Sequence, residues 1–203
     1  MDFIKYSETK PRFLVKLFKL ATKVIYYLYL DRSNRGKFNI VFYHNYSGTE
    51  LEILRNWGAA IVSRFWHRRL FLEAIERIKY HKTEGHKIFI ITGTLDIIVS
   101  PLASFLELDG WVAAQPEIVS GKLTGKLINN PISGIAKREA VLRIAETQNI
   151  DLSKSFAYGD SQADLELLGT VSHPIGVNPD RCLKEIARKN NWETVIWQLK
   201  YLT

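Results

Sequence analysis

The hydrophobic positions divide the chain into a helical first part and a second part in which strands and helices alternate. From Phe13 to Leu30 apolar residues dominate and basic residues recur every three or four positions, which predicts an amphipathic helix. Residues 36–44 fit a helix or a strand, because their apolar spacing is helical while their residue types favour a strand. Residues 47–66 predict a helix capped by Ser47 or Thr49. Its buried side is predicted to contain Leu51, Leu54, Ile61 and Phe65.

From Leu70 onward the pattern is typical of an α/β fold. Continuous apolar runs predict strands at 87–92, 155–159 and 173–178, and a hairpin is predicted at 116–127 with its turn at Ser120 and Gly121. Helices are predicted at 72–82 (ended by Gly85), 93–108, 136–148, 163–169 and 179–191, the last one started by Asn178 and Pro179. Strands separated by such helices pair in parallel, and ligands bind beyond their carboxyl ends.

Composition and charge narrow the choice of function. The 203 residues, 46% of them apolar, suit one domain or one domain with an inserted cap. The single cysteine, Cys182, excludes an intramolecular disulfide and favours a cytoplasmic location. Only Val24 to Leu30 is an uninterrupted apolar run in the first helix, which is too short to span a membrane, although a helix lying on a membrane surface stays open.

The net charge of +7 is concentrated in the first part of the chain. Residues 1–83 contain 16 Lys and Arg against 7 Asp and Glu, whereas the remainder carries a net charge of −2. A basic first part suits a cap that attracts an anionic substrate, and it also suits a nucleic-acid surface. The sequence contains no helix-turn-helix, zinc-finger or RNA-binding pattern, so we expect no nucleic-acid partner.

Polar residues follow three of the predicted elements in a suggestive order. Thr92 and Thr94 follow one strand, Lys137 begins a helix, and Asp160 and Asp164 follow another strand. Each residue has an ordinary structural explanation as a cap, a solvated lysine or a turn. Two carboxylates at a buried strand tip, however, seldom serve stability alone. Together, on separate strand ends, these residues predict a site for a metal ion or a phosphate.

Several of these segments resemble the haloacid dehalogenase-like hydrolases, and in particular the phosphoserine-phosphatase-like branch, which has a helical cap after its first strand. The similar segments are HKTEGHKIFIITGTLDIIVSPLA, GKLTGKL, GIAKREAV, YGDSQADLELL and GVNPD. The resemblance implies an α/β fold with a Rossmann-like parallel sheet and a helical cap. It places the cap at 1–80 and the core at 81–203.

The activity implied by this resemblance is Mg²⁺-dependent hydrolysis of a small phosphorylated metabolite through an aspartyl-phosphate. Thr92 and Gly93 would hold a phosphoryl oxygen, and Lys137 would neutralise the phosphoryl charge. Asp160 would bind Mg²⁺, while Asp164 would bind the same ion or orient its ligands. Neither the substrate nor the oligomeric state follows from the sequence.

The family's first motif, Asp-x-Asp-x-Thr or Val, is not found in the sequence. Asp2, Asp31 and Asp109 each lack the required spacing or a preceding strand. The resemblance therefore implies a sheet without its central first strand, whose absence would leave unpaired backbone groups on its neighbours. The favoured explanation is that the natural protein has this strand and its Asp pair upstream.

Two other functions stay open. One is a non-catalytic protein that binds phosphate or a partner. The other is an electrostatic binder of nucleic acid or membrane, whose contacts would come from Arg12, Lys16, Lys19 and Lys23.

Overall fold

The structure is a computed structural model that describes residues 10–63, 70–129 and 131–198, with the side chains of the first helix described from Thr22 onward. The first part is helical, as predicted. Its helices are α1 (Lys10–Ser33), α2 (Arg35–Tyr43) and α3 (Leu51–Ile61), with a short 3₁₀ turn at His44–Tyr46. The ambiguous stretch 36–44 is thus a helix, and the Asn34 side chain caps it by accepting a hydrogen bond from the Lys37 N–H at 2.9 Å.

The second part alternates as predicted. Its helices are α4 (Leu72–Thr83), α5 (Asp96–Phe105), α6 (Ile135–Gln148), α7 (Leu165–Leu168) and α8 (Arg181–Lys189). Its strands are β1 (Phe89–Leu95), β2 (Gly110–Ala114), β3 (Pro116–Val119), β4 (Lys122–Leu127), β5 (Phe156–Gly159), β6 (His173–Val177) and β7 (Glu193–Val195). The predicted α/β class with parallel strands is confirmed. The predicted boundary between cap and core, at residue 80, falls inside α4 and stays a prediction.

The parallel strands form two separate sheets. β1 pairs with β2, and β5, β6 and β7 form a second sheet in that order. Within the described ranges, β1 and β5 each have one backbone edge with no strand partner. Every residue from Phe89 to Gly93 is only half-buried, although parallel strands are normally covered on both faces. The missing strand that the resemblance implies beside β1 and β5 stays a prediction, since β2 and β7 are also edge strands in the described ranges.

A common hydrophobic core nevertheless joins the two parallel sheets. Ala157 of β5 packs with Leu168 and Leu183, both completely buried, and Ile91 of β1 packs against this cluster. Side chains also link α4 to the second sheet, since a ring nitrogen of His81 is 2.8 Å from the Tyr158 hydroxyl of β5. Contacts between side chains hold β1 and β5 in one core where backbone pairing does not.

The start of α3 differs from the prediction. Its N-cap is Glu50, which makes no side-chain capping bond, whereas Ser47 or Thr49 was expected to cap it. The Leu51 N–H instead donates to the Gly121 carbonyl at 2.9 Å, and the Leu123 N–H donates to the Thr49 carbonyl at 2.9 Å. The hairpin formed by β3 and β4 therefore replaces the missing cap and holds α3 against the core.

The predicted buried side of α3 is confirmed in part. Leu54 is 2% exposed, while Leu51 and Ile61 are half-buried. Phe65 lies outside the described residues.

Two strands were not predicted, and the start of α8, like that of α3, differs from its prediction. β2 and β7 are short, and their sequences lack the long apolar run that indicated the other strands. The N-cap of α8 is Asp180 rather than Asn178 or Pro179, since the Asp180 side chain accepts a hydrogen bond from the Leu183 N–H at 2.7 Å. An aspartate fills this position because its carboxylate satisfies one of the unpaired N–H groups of the first turn.

Of the four basic side chains predicted to share one face of α1, the structure describes only that of Lys23. Lys23 donates a hydrogen bond to the Asn45 side chain at 2.5 Å and lies 5.7 Å from the centre of the Tyr27 ring. The side chains of Arg12, Lys16 and Lys19 lie outside the described part, so the proposed electrostatic surface stays a prediction. Of the helices in the described ranges, none combines the length and the apolar character that a membrane crossing requires.

Candidate active site

The end of β5 brings the two predicted carboxylates together. Asp164 is 6% exposed, and its Oδ2 accepts hydrogen bonds from the backbone N–H groups of Asp160 and Ser161 at 3.1 and 3.2 Å. The Ser161 hydroxyl donates to the same oxygen at 3.2 Å. A side chain at Gly159 would place its Cβ 2.6 Å from the Asp164 Cβ, so the tight turn requires glycine there. Asp164 therefore fixes the conformation of the loop by accepting hydrogen bonds from its backbone.

Lys137 forms an ion pair with Asp164 Oδ1. The two side chains are 13% and 8% exposed, so the pair is largely shielded from water. Burial by itself would raise the pKa of Asp164, but the Lys137 ammonium and the loop N–H groups outweigh it and hold this pKa below its usual value. The Gly134 N–H donates to the Ala163 carbonyl at 3.1 Å, which fixes the start of α6 beside the acidic loop.

Asp160 projects from the same loop in a more exposed position. Its pKa is raised, first by partial burial and then by the neighbouring Asp164 carboxylate, while Lys137 opposes the shift. Its backbone carbonyl accepts a hydrogen bond from the Asp180 N–H at 2.8 Å, and the Asp180 carboxylate accepts one from the Gln162 N–H at 2.9 Å. Asp180 thus holds the loop in place. The sequence analysis missed this role because it requires a contact between two separate loops.

This donor set fits one Mg²⁺ ion. Both oxygens of Asp164 already accept hydrogen bonds, whereas the Asp160 side chain is free to bind a cation. Partial burial and, after it, the neighbouring Asp164 carboxylate raise the pKa of Asp160, so a cation beside it would be stabilised. Mg²⁺ takes oxygen ligands, often one or two carboxylates completed by water and a substrate phosphate. In the described ranges, no group of three His, Cys, Asp or Glu side chains converges on one point. The remaining ligands would therefore come from elsewhere.

Thr92 and Gly93 lie in the second half of β1, after the regular pairing of Phe89–Ile91 with β2. The strand predicted to end at residue 92 continues to Leu95, and the helix predicted from residue 93 begins at Asp96. The Thr92 Oγ1 donates to the Thr94 hydroxyl at 3.2 Å and accepts the Thr94 N–H at 3.2 Å. A Cβ at Gly93 would lie 3.2 Å from the Ile132 carbonyl, so this part of the strand packs against the segment that leads into α6. The structure thus brings Lys137, Asp160 and Asp164 into direct contact. It links Thr92 and Gly93 to them through the segment around Ile132.

The helical first part contributes two residues that the sequence analysis did not identify. The Tyr43 hydroxyl donates to the Gly93 carbonyl at 2.7 Å, and burial together with neighbouring Tyr46 raises the pKa of Tyr43 to about 12. Asn39 lies one turn earlier on α2, and its Nδ2 would be 2.4 Å from a Cβ at Gly93. Because stretch 36–44 was undecided between helix and strand, the sequence could not place Asn39 and Tyr43 on one face.

The comparisons with known proteins identify the family of the chain. The model of the haloacid dehalogenase-like hydrolase family matches residues 1–169, and the chain belongs to this family. A phosphoserine phosphatase from Mycobacterium tuberculosis is 31% identical over 118 residues, which is 58% of this chain and 38% of that protein. The chain spans half or less of the length of the first curated relatives that it matches.

Solved structures show the same fold. A Bordetella pertussis protein of unknown function superimposes with a TM-score of 0.72 at 23% identity, covering 82% of this chain and 78% of that one. A phosphoserine phosphatase solved as an analogue of its phospho-aspartyl intermediate gives a TM-score of 0.65 at 23% identity, covering 82% and 73% of the two chains. The resemblance to the phosphoserine-phosphatase-like branch is thereby confirmed.

Proposed function

We propose that the protein is a Mg²⁺-dependent phosphomonoesterase that acts through an aspartyl-phosphate. The observation that carries this proposal is the buried Lys137–Asp164 ion pair with Asp160 exposed beside it, at the carboxyl end of a parallel strand. Ligands of open α/β sheets bind at this edge. An ion pair needed only for stability would not require a second carboxyl group with a raised pKa beside it.

Each residue of the site has a distinct role in this proposal. Asp160 would hold the metal ion, which supplies positive charge to the phosphoryl oxygens when bound. Lys137 would stabilise the transferring phosphoryl group, and Asp164 would keep Lys137 charged and in position. Thr92 and the Gly93 N–H would donate to a phosphoryl oxygen from the second half of β1.

The nucleophile would come from a strand that occupies the open position beside β1 and β5. Two observations support it: each of these strands has an unpaired edge in the described structure, and the 203 residues contain no Asp-x-Asp motif after a strand. An aspartate oxygen would attack phosphorus as the ester P–O bond breaks, and a second aspartic acid would give its proton to the leaving oxygen. Water would then attack the phosphorus of the acyl-phosphate, releasing orthophosphate and the free carboxylate.

The substrate would be a small phosphorylated metabolite. The phosphoserine phosphatases among the relatives support this class, and a cap with a net positive charge suits an anionic ligand. No described contact selects one metabolite within the class. The cytoplasmic location stays a prediction as well.

The test is turnover of p-nitrophenyl phosphate as a function of Mg²⁺ concentration, with this chain extended through its in-frame upstream codons. We expect Asp160→Asn to reduce Mg²⁺-dependent turnover by at least about 100-fold, because a metal ligand is lost. Asp151→Asn is the matched control, since this residue caps an exposed 3₁₀ turn and asparagine caps equally well. Unchanged turnover by Asp160→Asn would contradict the assignment.

A second candidate is a protein that binds phosphate without turnover. It is favoured by one observation: the sequence keeps Thr92, Lys137, Asp160 and Asp164 but contains no Asp-x-Asp motif. For this candidate we expect the extended chain to bind orthophosphate with Mg²⁺ and to hydrolyse no ester.

A further inference from the structure

Asn39 of α2 is a buried polar residue whose amide nitrogen, Nδ2, has no hydrogen-bond partner in the described part of the chain. The residue is 4% exposed. Buried amide groups are almost always hydrogen-bonded in folded proteins, because an unpaired donor loses its hydration without compensation. An apolar residue of similar volume would avoid this penalty, so stability alone does not explain an asparagine here.

The position of Asn39 points to a ligand rather than to packing. Its Nδ2 faces Gly93, where an added Cβ would approach it to 2.4 Å, and Gly93 adjoins Thr92 in the second half of β1. Asn39 is therefore aimed at the part of β1 where the phosphoryl group would bind. A neutral N–H donor is suited to an anionic oxygen, since hydrogen bonds to charged groups are the stronger ones.

Tyr43 fixes Asn39 in this position. The Tyr43 hydroxyl donates to the Gly93 carbonyl at 2.7 Å, and residues 39 and 43 are one helical turn apart on α2. The backbone contact sets the height and rotation of α2 above this part of β1. The Nδ2 donor of Asn39 is thus already held beside Gly93, so binding a ligand there loses little additional side-chain entropy.

We propose that Asn39 donates a hydrogen bond from the cap to the phosphoryl group bound at Thr92 and Gly93. This inference rests on the proposed function, because it uses the same phosphate position. In this inference, a residue of the cap and residues of the core bind the same anion. Phosphate binding would therefore stabilise the contact between α2 and β1. In the unliganded protein the unpaired donor destabilises that contact.

The experiment compares this chain with its Asn39→Leu variant, by titration with inorganic phosphate in the presence of Mg²⁺ and by thermal unfolding without phosphate. We expect Asn39→Leu to weaken phosphate binding about tenfold, which is the loss of one hydrogen bond to a charged group. The same variant should raise the melting temperature of the phosphate-free protein by a few degrees, because a buried unpaired donor is removed. This opposite pair of effects would not result from a merely structural role.

Asn45→Leu is the matched control from the same part of the chain. Its amide is already satisfied, donating to the Tyr27 hydroxyl at 2.7 Å and to the Phe42 carbonyl at 2.7 Å. We expect this variant to lower the melting temperature and to leave phosphate affinity within about twofold.

The outcomes separate this inference from the function on which it rests. If the unaltered chain binds phosphate and Asn39→Leu binds it equally well, the role of Asn39 is wrong and the proposed function stands. A lower melting temperature for Asn39→Leu likewise overturns it, because Asn39 would then have a stabilising partner. If the unaltered, folded chain binds no phosphate with Mg²⁺, the inference is wrong, whereas the proposed function is decided separately by p-nitrophenyl phosphate turnover of the extended chain.

Discussion

At the scale of single residues, the Lys137–Asp164 pair determines the geometry of the candidate site. Asp164 accepts hydrogen bonds from the loop that carries Asp160, and its other oxygen binds Lys137. A buried pair contributes little net stability compared with apolar packing, but removing one partner leaves an uncompensated charge. The pair therefore favours one arrangement of the loop and penalises the others.

Replacing Lys137 by methionine tests this dependence. We expect Lys137→Met to lower the free energy of unfolding by about 3 kcal/mol, because the Asp164 carboxylate remains buried without its cation. Urea unfolding measures the change. Arg138→Met is the control, since its contact with Glu166 is 3.8 Å long and exposed to water, and we expect a change below about 1 kcal/mol. Equal changes in the two variants would contradict the role of the pair.

The pH dependence of stability provides a separate test of the same pair. The pKa of Asp164 is lowered in the folded protein, so its contribution is present above the unfolded value of about 3.9 and is lost as pH falls through the folded pKa. Without Lys137, the burial that raises this pKa is opposed only by the loop hydrogen bonds. We expect the acid unfolding midpoint of Lys137→Met to lie at higher pH, as followed by circular dichroism. A midpoint at the same pH as the unaltered chain would argue against the coupling.

The residues that could be predicted from the sequence are those at strand ends. Thr92, Lys137, Asp160 and Asp164 follow apolar runs that mark buried strands or begin a helix, and the strand rule places such residues at one edge. The structure brings the last three together. Asn39, Tyr43 and Asp180 could not be predicted, because their roles depend on contacts between elements far apart in sequence.

At the scale of elements, close backbone approach fixes the helices of the first part on the core. Gly58 of α3 packs against α5, and a Cβ there would lie 2.8 Å from the Ile97 carbonyl. That distance is too short for any side chain, and the obstructing atom belongs to the backbone. The glycine is needed for this packing even though it weakens the isolated helix.

Two glycine substitutions in neighbouring helices separate packing from helix propensity. We expect Gly58→Ala to lower the free energy of unfolding by about 1–3 kcal/mol, as overpacking does, despite the better helix propensity of alanine. Gly36→Ala in α2 should be neutral or stabilising by up to about 1 kcal/mol, because its nearest atoms are 3.6 Å away. Thermal or urea unfolding measures both changes. Stabilisation by Gly58→Ala would show that α3 does not pack closely on α5.

Helices, strands and turns were predicted correctly where the local residue types and apolar spacing indicated a single structure. The turn at Ser120 and Gly121 is found as predicted, with φ values of 50° and 74° at the two residues. The stretch 36–44 carried two conflicting signals, and its packing against the core decided in favour of a helix. Strands β2 and β7 were missed because backbone pairing with β1 and β6, rather than local sequence, defines them.

At the scale of the whole molecule, a group of aromatic and histidine side chains packs α4 and the segment that leads into β1 against β5. His81 and His86 approach each other to 2.9 Å between their Nδ1 atoms, and both rings lie within 5.8 Å of the Phe156 ring centre. His81 also contacts the Tyr158 hydroxyl. Burial, followed by His86 and Arg77, lowers the pKa of His81, so this imidazole is neutral in the folded protein near pH 7.

Acidification should therefore weaken the contact between α4 and β5. The unfolded chain takes up a proton on His81 near pH 6.5, whereas the folded chain does so at lower pH, so stability falls as pH decreases from about 6.5. We expect His81→Gln to make the melting temperature less dependent on pH between about 7.5 and 5.5. Exposed His44→Gln controls for the loss of one imidazole. An unchanged slope in His81→Gln would exclude His81 as the cause.

The open position beside β1 and β5 connects the fold to the proposed chemistry. The α/β architecture could be predicted from the sequence, whereas the gap left by a missing central strand stays a prediction from the resemblance. The shared core of β1 and β5 could not be predicted, since it depends on the packing of Ile91 against the cluster around Ala157. The proposal therefore depends on whether a strand with an Asp pair completes this sheet.

The most direct measurement is Mg²⁺-dependent hydrolysis of p-nitrophenyl phosphate by this chain and by the chain extended through its in-frame upstream codons. The account predicts turnover by the extended protein alone, with loss of that turnover when Mg²⁺ is chelated. Absence of turnover in a folded extended protein would contradict the proposed phosphatase and favour a phosphate-binding protein. Turnover by the 203-residue chain itself would contradict the claim that its nucleophile comes from an added strand.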